Sequence, residues 1–273
     1  MANGFDVPLV VTQPDRRRGR GGARSPSPVK AAALELGLPV TERVDDVLDA
    51  GADLGVVVAY GRLIRPHVLD ALPMVNLHFS LLPRWRGAAP VEWAILAGDA
   101  TTGVCLMRLE AGLDTGPVYA CETVTIGDEE GAGELRSRLV DLGTTLLVNR
   151  LTAGLGEAVP QTGETTYAAK IEPALLELDW AMPAVEVHRV VRLDRGAWTT
   201  FRGRRLRVLR ARVGAGAGGP PGTLDGTTVA TGNGTLELVL VQPEGRAPLP
   251  AADWGNGARP APGERLGAEA APR

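Results

Sequence analysis

Along roughly the first 150 residues, short continuous apolar runs alternate with stretches whose apolar residues recur at helical spacing. Five runs predict buried strands: Val7–Thr12, Leu54–Tyr60, Met74–His78, Gly103–Glu110 and Val118–Ile126. Four stretches predict helices: Val29–Leu36, Pro66–Leu72, Pro90–Leu96 and Gly133–Leu151. Because buried strands separated by helices form sheets that are covered on both faces, the pattern predicts an α/β domain with a Rossmann-like, mostly parallel sheet.

The start of the chain departs from the usual order of such a domain. A doubly wound sheet opens with a strand and a turn before the helix that leads into its second strand. The segment Met1–Asp6 instead looks like the end of a helix with a glycine stop, directly before the strand predicted at Val7–Thr12. The first strand, expected near the centre of the sheet, is therefore predicted to be missing from this sequence.

Periodicity is lost between Ala153 and Pro173, where Gly, Pro and Thr are frequent. Beyond this stretch, Val185–Leu193 has helical spacing. Four short strands follow: Ala197–Phe201, Arg204–Arg212, Gly222–Val229 and Leu236–Gln242. Short strands with Gly-rich turns are typical of a small OB-like β-barrel. We predict a first domain over residues 1–152, a linker over 153–175 and the barrel over 176–273, with an irregular end after Asp253.

Composition limits the class of protein. The chain has 273 residues, of which 44% are hydrophobic, and a formal net charge of −3. That length is enough for two ordinary domains with separate cores. No apolar stretch approaches the roughly 20 residues of a membrane helix, and the amino terminus lacks a signal pattern. We expect a soluble, cytoplasmic protein and a monomer.

The two cysteines, Cys105 and Cys121, both lie in predicted strands. Their spacing matches neither a disulfide framework nor a metal site. Two buried, inert thiols are therefore expected.

Positive charge is concentrated in two segments of an otherwise acidic chain. Before Glu177 there are 16 Lys and Arg against 22 Asp and Glu, and from Glu177 onward there are 13 against 10. One segment contains five arginines: Arg16, Arg17, Arg18, Arg20 and Arg24. The other contains nine arginines between Arg189 and Arg212, opposed only by Asp194. Such segments indicate a polyanionic partner, although a solvated loop and a solvated strand face would have the same composition.

Candidate chemistry is found at Asn76 and His78, and again at Asp114. Side chains two apart in a strand point to the same face, so Asn76 and His78 can address one substrate atom. Asp114 lies in a later turn, Gly112–Pro117. Amide, imidazole and carboxylate together suit acyl transfer, because they can stabilise an oxyanion and move a proton. Taken alone, these residues also have purely structural explanations. Asn76 could be an asparagine at a strand end, His78 a packed histidine, and Asp114 an aspartate that caps backbone amides in a turn.

The Asn-x-His pair followed by this Asp-Thr-Gly-Pro turn resembles the folate-dependent formyltransferases, which take a formyl group from 10-formyltetrahydrofolate. The resemblance implies that Asn76 and His78 stabilise the oxyanion and that Asp114 orients His78 and assists proton transfer. It implies that no metal is required. It also assigns the tetrahydrofolate contact to the family's stretch Ser80, Leu81, Leu82 and Pro83. One departure is Phe79, which stands where the family usually has Gly.

Three features resemble the members of this family whose acceptor is methionyl initiator tRNA. These features are the basic loop leading to Pro26–Lys30, the stretch Ser80–Pro90, and the carboxyl-terminal module. The resemblance implies five tRNA-binding residues: Arg16, Arg20, Arg24, Arg204 and Arg207. Two other interpretations stay open. One is formylation of a nucleotide-linked amino sugar, and the other is a non-catalytic tRNA-binding remnant.

Overall fold

The computed structural model describes residues 4–17, 24–216 and 219–267. Contacts divide the chain into two compact units, each assembled from several segments. The first unit comprises Met1–Ala88, Gly103–Thr123 and Leu139–Tyr167. The second comprises Ala89–Thr102, Val124–Arg138 and Ala168–Arg273.

Among the described residues between 10 and 168 there are ten strands and four helices. The strands are β1 (Val10–Val11), β2 (Arg16–Arg17), β3 (Arg24–Ser25), β4 (Val40–Thr41), β5 (Gly55–Val58), β6 (Met74–His78), β7 (Arg86–Gly87), β8 (Thr101–Arg108), β9 (Val118–Thr125) and β10 (Tyr167–Ala168). The helices are α1 (Pro28–Glu35), α2 (Pro66–Ala71), α3 (Pro90–Ala97) and α4 (Ala132–Ala153), with a 3-10 helix at Val44–Asp49. All five predicted strands and all four predicted helices are therefore present, with β1 shorter than expected. The burial predicted for every strand is wrong for β5 and β9, which have several exposed residues, and β1 is only partly buried.

The main sheet of this region has four strands in the order β5-β6-β8-β9. Strand β5 runs parallel to β6, whereas β8 runs antiparallel to β6. Strands β1 and β4 form a separate parallel pair. The predicted Rossmann-like α/β class is confirmed, but the sheet is mixed rather than mostly parallel. Strand β8, which follows α3, runs in the opposite direction to β6. The apolar pattern of a strand does not encode its direction in the sheet, so the sequence did not reveal this.

Helix α4 covers one face of this sheet. Its residue Leu146 packs with Val75 and Leu77 of β6 and with Val104 and Leu106 of β8 in one buried cluster. Three leucines of this helix, Leu135, Leu139 and Leu146, are buried. Among the helices that the structure describes, none is long and apolar enough to span a membrane.

The two cysteines, Cys105 and Cys121, are joined in a disulfide between β8 and β9, at a sequence separation of 16. The expectation of two inert thiols is therefore wrong. Sequence spacing did not reveal the pair because β8 and β9 are joined by a long turn, and strand pairing alone brings the residues together. Cys105 is also the register partner of His78 in the pairing of β6 with β8.

The second unit contains a six-stranded sheet with helices packed on it. From residue 173 onward, its elements are a 3-10 helix at Pro173–Leu176, α5 (Ala184–Val191), β11 (Trp198–Phe201), β12 (Arg204–Gly214), β13 (Leu224–Asp225), β14 (Thr228–Ala230), β15 (Thr235–Pro243), β16 (Leu249–Pro250) and α6 (Ala251–Ala258). The strand order is β11-β12-β15-β14-β13, and β16 pairs with β15. Every pairing is antiparallel, as expected for the small β domain.

Two details of this unit differ from the prediction. The strand predicted at Gly222–Val229 is divided into β13 and β14 by a turn at Gly226, whose φ is 59°. The segment predicted to be irregular after Asp253 contains most of α6, whose Ala251 and Trp254 are buried in the core of the unit. The glycines at 255 and 257 lower the helix propensity of this segment, and tertiary packing of Trp254 overrides it.

Candidate active site

Strand β6 places Asn76 and His78 side by side within the first unit. Asn76 is 8% exposed and His78 is 5% exposed, so both side chains are almost entirely buried. Asn76 lies between Val57 of β5 and Met107 of β8 in the strand register. Its carboxamide takes part in none of the hydrogen bonds found among the described residues. A buried, uncommitted amide is free to donate to an oxygen atom of a substrate.

The imidazole of His78 is fixed by a main-chain carbonyl. Its Nε2 lies 2.9 Å from the carbonyl oxygen of Trp85. A carbonyl can only accept, so Nε2 carries the hydrogen and donates it. The other ring nitrogen, Nδ1, lies 3.6 Å from Oδ2 of Asp114. Only the imidazolium form would present an N–H to both neighbours.

Asp114 is held in place by the turn Gly112–Pro117 and by a main-chain donor. Its φ is 50°, in the left-handed region that Asp tolerates better than most residues. Its Oδ2 accepts a hydrogen bond of 2.8 Å from the N–H of Gly87. Position 116 of this turn requires glycine, because a Cβ there would lie 2.0 Å from the carbonyl oxygen of Arg108. The carboxylate that faces His78 is therefore oriented by backbone rather than by solvent.

The predicted folate-contact stretch forms the turn after β6. Ser80 is fully buried, and its Oγ donates a hydrogen bond of 2.6 Å to the carbonyl oxygen of Arg84. Leu81 packs on β8, since a Cβ at Gly103 would lie 2.5 Å from its Cδ2. The Leu82-Pro83 peptide bond is cis. The side chains of Ser80 and Leu81 thus shape this turn, and contact of Ser80–Pro83 with a folate stays a prediction.

Two residues that sequence reasoning missed join the site from the segment before β10. The Oγ1 of Thr166 accepts a hydrogen bond of 2.9 Å from the N–H of Trp85. The side-chain amide of Gln161 contacts both Arg86 and the Asp114 turn. Both residues fall in the stretch predicted to be a linker, where no periodicity or motif marks them.

The basic loop of the first unit is closed by backbone pairing at its two ends. Arg16 pairs with Ser25 and Arg17 with Arg24 in the antiparallel pair β2-β3. Arg24 is exposed, whereas Arg20 lies outside the described residues.

Lys30, near the start of α1, is already paired within the same unit. Its Nζ lies 2.9 Å from Asp15 and 3.2 Å from Glu42. These hydrogen bonds, first to Asp15 and then to Glu42, raise the pKa of Lys30. The positive charge of Lys30 is therefore offset by these two carboxylates, so Lys30 adds little to the net positive charge of this loop.

A strip of arginines covers the outer face of β12 in the second unit. Leu206, Val208 and Ala211 point into the core, so the inward positions change from even to odd numbers along the strand. The change coincides with irregular register against β15 between Val208 and Ala211. Such a bulge shifts the alternation by one residue and keeps the following arginines on the solvent face. The arginines on this face are Arg205, Arg207, Arg210 and Arg212, and Arg204, at the start of the strand, is exposed as well.

Not every arginine of this region is available to a partner. Arg202 forms an ion pair with Glu264 at 2.6 Å and stacks on the ring of Phe201 at 4.6 Å. The hydrogen bonds with Glu264 raise the pKa of Arg202, and those with Arg202 lower the pKa of Glu264. Arg205 stacks on Trp198 at 4.1 Å. Arg204 and Arg207 make no hydrogen bond or ion pair among the described residues, which suits residues that bind phosphate.

Over the described ranges, no group of three or more His, Cys, Asp or Glu side chains is arranged to hold a metal ion.

Comparison with known proteins gives consistent matches over both parts of the chain. The family described as "Formyl transferase" matches residues 2–151, and "Formyl transferase, C-terminal domain" matches residues 170–259. Methionyl-tRNA formyltransferase of Paracoccus denitrificans (strain Pd 1222) is 47% identical over 261 residues, covering 90% of this chain and 88% of that protein.

Two solved structures resemble the chain in fold. HypX from Aquifex aeolicus, in complex with tetrahydrofolic acid, has a TM-score of 0.59 at 19% identity and covers 82% of this chain and 43% of that chain. Methionyl-tRNA formyltransferase from Clostridium thermocellum has a TM-score of 0.54 at 18% identity and covers 66% of this chain and 82% of that chain. At these identities the two likenesses establish a shared fold alone.

Proposed function

Because this chain belongs to the formyl transferase family and, within it, to the methionyl-tRNA formyltransferases, we propose that it formylates methionyl initiator tRNA. The formyl group of 10-formyltetrahydrofolate is transferred to the α-amino group of the methionine, and the product supports translation initiation. One observation carries the chemistry: a buried histidine, fixed through Nε2 by Trp85, faces a carboxylate that is fixed by Gly87.

In the proposed reaction, the neutral α-amino nitrogen attacks the formyl carbon, and the formyl oxygen becomes an oxyanion. The carboxamide of Asn76 donates an N–H to this oxygen. The amine loses a proton, which His78 takes at Nδ1, because Nε2 is occupied by the carbonyl of Trp85. The carboxylate of Asp114 stabilises the resulting imidazolium. The positive ring in turn stabilises the oxyanion.

The tetrahedral intermediate then collapses. The bond between the formyl carbon and the folate nitrogen breaks, and that nitrogen receives a proton as it leaves. The proton comes from the His78–Asp114 pair, so the site returns to its starting protonation state. No step needs a group other than these side chains and the two substrates.

Binding of the two substrates is assigned to separate surfaces. The turn Ser80–Pro83 contacts the tetrahydrofolate, since it follows directly on β6, where Asn76 and His78 are located. Five arginines bind tRNA phosphates: Arg16, Arg20, Arg24, Arg204 and Arg207. The exposure of Arg24, Arg204 and Arg207 supports this assignment. We assign the enzyme to the cytoplasm, because its relatives are named for a translation substrate. A monomer stays a prediction.

A single-turnover assay tests the proposal. The chain is mixed with 10-formyltetrahydrofolate and either methionyl initiator tRNA, the same tRNA without methionine, or a nucleotide-linked amino sugar. We expect formyl transfer only to the aminoacylated tRNA. Transfer to the amino sugar alone would show that the acceptor is wrong. Binding of tRNA without any transfer would instead support a non-catalytic RNA-binding protein.

A further inference from the structure

Gln161 connects two loops of the active site through all four hydrogen-bonding positions of its amide. Its Nε2 donates to the carbonyl oxygens of Asp114 and Gly116, each at 2.8 Å. Its Oε1 accepts from Nε of Arg86 at 3.1 Å and from Nη2 of the same residue at 2.6 Å. A carboxamide has two N–H donors and an oxygen with two lone pairs, so its hydrogen-bonding capacity is complete.

The orientation of this amide follows from its partners. Carbonyl oxygens only accept and a guanidinium only donates, so Nε2 must face the Asp114 turn and Oε1 must face Arg86. A glutamate at this position could still bind Arg86. It could not donate to the two carbonyls when ionised.

The segment that carries Gln161 is anchored next to the site. Val159 forms an antiparallel bridge with Val118, in which each residue donates its N–H to the carbonyl of the other at 2.8 and 2.9 Å. Val118 begins β9, directly after the Asp114 turn. Farther along, Thr166 accepts from Trp85, whose carbonyl fixes His78. The stretch 159–166 thus contacts the supports of both members of the His78–Asp114 pair.

The Asp114 turn needs such support. Asp114 adopts a left-handed φ of 50°, which a free chain populates sparsely. Its carboxylate has one main-chain donor, Gly87, and it faces His78 at 3.6 Å. That separation depends on where the turn lies, because the side chain of Asp114 is short. The two bonds from Gln161 restrain the turn on both sides of Thr115.

The geometry points to Gln161 as a positioning residue for formyl transfer: by binding the carbonyls of Asp114 and Gly116, it sets the distance between Asp114 and His78. This role rests on the function proposed above for the His78–Asp114 pair. Gln161 does not touch the reacting atoms. We therefore expect substitution of Gln161 to lower turnover, through Asp114, and to leave the affinity for tRNA unchanged.

Three variants separate this role from its alternatives. Gln161→Ala removes all four bonds, Gln161→Glu keeps the contact with Arg86, and Thr162→Ala is the matched control at an exposed neighbouring position. In the formylation assay, we expect kcat to fall by about 10–100-fold for both Gln161 variants, as small displacements of a catalytic group produce. The KM for tRNA should stay within about twofold, and Thr162→Ala should behave as the unmodified enzyme. Normal turnover of Gln161→Glu would show that turnover depends on the contact with Arg86 and not on the bonds to the Asp114 turn, which would overturn the inference.

A double-mutant cycle with Asp114→Asn tests whether Gln161 acts through Asp114. In the Asp114→Asn background, Gln161→Ala should lower kcat by less than about twofold further, because the group it positions is already disabled. A reduction as large as in the unmodified enzyme would show a merely structural role. If Asp114→Asn itself turns over normally, the catalytic assignment fails, and the positioning role for this reaction fails with it.

Amide hydrogen exchange provides a readout that does not depend on the acceptor. The N–H of Gly87 is bound by Asp114, so Gln161→Ala should accelerate its exchange while leaving exchange in β15 unchanged. Unchanged protection at Gly87 would overturn the positioning role. Faster exchange at Gly87 in an enzyme that does not formylate methionyl-tRNA would reject the proposed function and retain the positioning of Asp114.

Discussion

Nε2 of His78 and the main-chain carbonyl of Trp85 lie 2.9 Å apart, although the two residues belong to different elements of the site. This bond decides which ring nitrogen is free for chemistry, because a histidine whose Nε2 donates to a carbonyl can exchange protons only at Nδ1. Asp114 faces that nitrogen and is itself bound by Gly87. The tautomer of His78 is therefore set by a loop, and in the mechanism proposed above the carboxylate stabilises the charged ring.

The first prediction concerns the charge of Asp114. In Asp114→Asn, an amide oxygen can still accept from Gly87, but the negative charge that stabilises the imidazolium is lost. We expect kcat for formylation to fall by about 10²-fold or more, with the KM values for both substrates within a few fold. Steady-state kinetics with methionyl initiator tRNA give this result directly. The matched control is Asp70→Asn, which changes an exposed carboxylate on α2 of the same unit. Near-normal turnover of Asp114→Asn would remove Asp114 from the mechanism.

The second prediction concerns the arginine strip on β12. Replacing Arg204 and Arg207 together by Ala should raise the KM for tRNA by about tenfold and reduce its salt dependence, since fewer counterions are released on binding. The kcat at saturating tRNA should change by less than about twofold, because these residues do not touch the reacting groups. Arg202→Ala is the control, as Arg202 is already paired with Glu264. An unchanged KM and an unchanged salt slope for the double variant would show that the strip does not bind tRNA.

The third prediction concerns pH and His188 of α5. This ring is 5% exposed, and its Nε2 donates to the carbonyl of Ala211 at 3.0 Å. Burial lowers the pKa of His188 below its ordinary value, Glu129 opposes this effect, and Arg192 adds to it. Other charged groups line the same cavity of about 390 Å³: Glu134, Asp194, Arg210 and Arg212.

Because the pKa of His188 is lower in the folded state, the unfolded chain takes up its proton first as the pH falls. The free energy of unfolding should therefore decrease as the pH drops below about 6.5, the ordinary value for His. In His188→Gln, whose amide can still donate to Ala211, this part of the pH dependence should disappear. Urea unfolding of both proteins between pH 5 and pH 8 measures it. Parallel curves for the two proteins would contradict a role for His188.

The fourth prediction concerns two glycines of the second unit. A Cβ at Gly232 would lie 1.8 Å from the carbonyl oxygen of Ala181, so Gly232→Ala must displace backbone. We expect a loss of about 1–3 kcal/mol in the free energy of unfolding. Gly257, in helix α6, has open space around it, and Gly257→Ala should instead gain about 0.5–1 kcal/mol from helix propensity. Chemical denaturation of both variants checks the opposite signs.

The elements that position the site could be predicted from the sequence because their signals are local. The sequence predicts a strand at Met74–His78, and the alternation of side chains along a strand places Asn76 and His78 on one face. The structure has this strand with the same bounds. The stripe of leucines on α4 is equally local, and its helix covers the sheet as expected. The predicted domain boundaries at residues 152 and 176, and the roles of the predicted site residues, stay predictions.

Only the tertiary structure decided how these local elements are combined. The mixed direction of the sheet and the disulfide between Cys105 and Cys121 depend on which strands pair. The bond from Gln161 to Asp114 joins residues 47 apart in the chain, and the segment that carries Gln161 has no periodicity to mark it. Apolar spacing encodes which face of an element is buried, but a hydrogen bond between two loops depends on where the whole fold brings them. For that reason the sequence could predict Asn76, His78 and Asp114 as candidate residues, and only the fold showed the backbone groups and the glutamine that contact them.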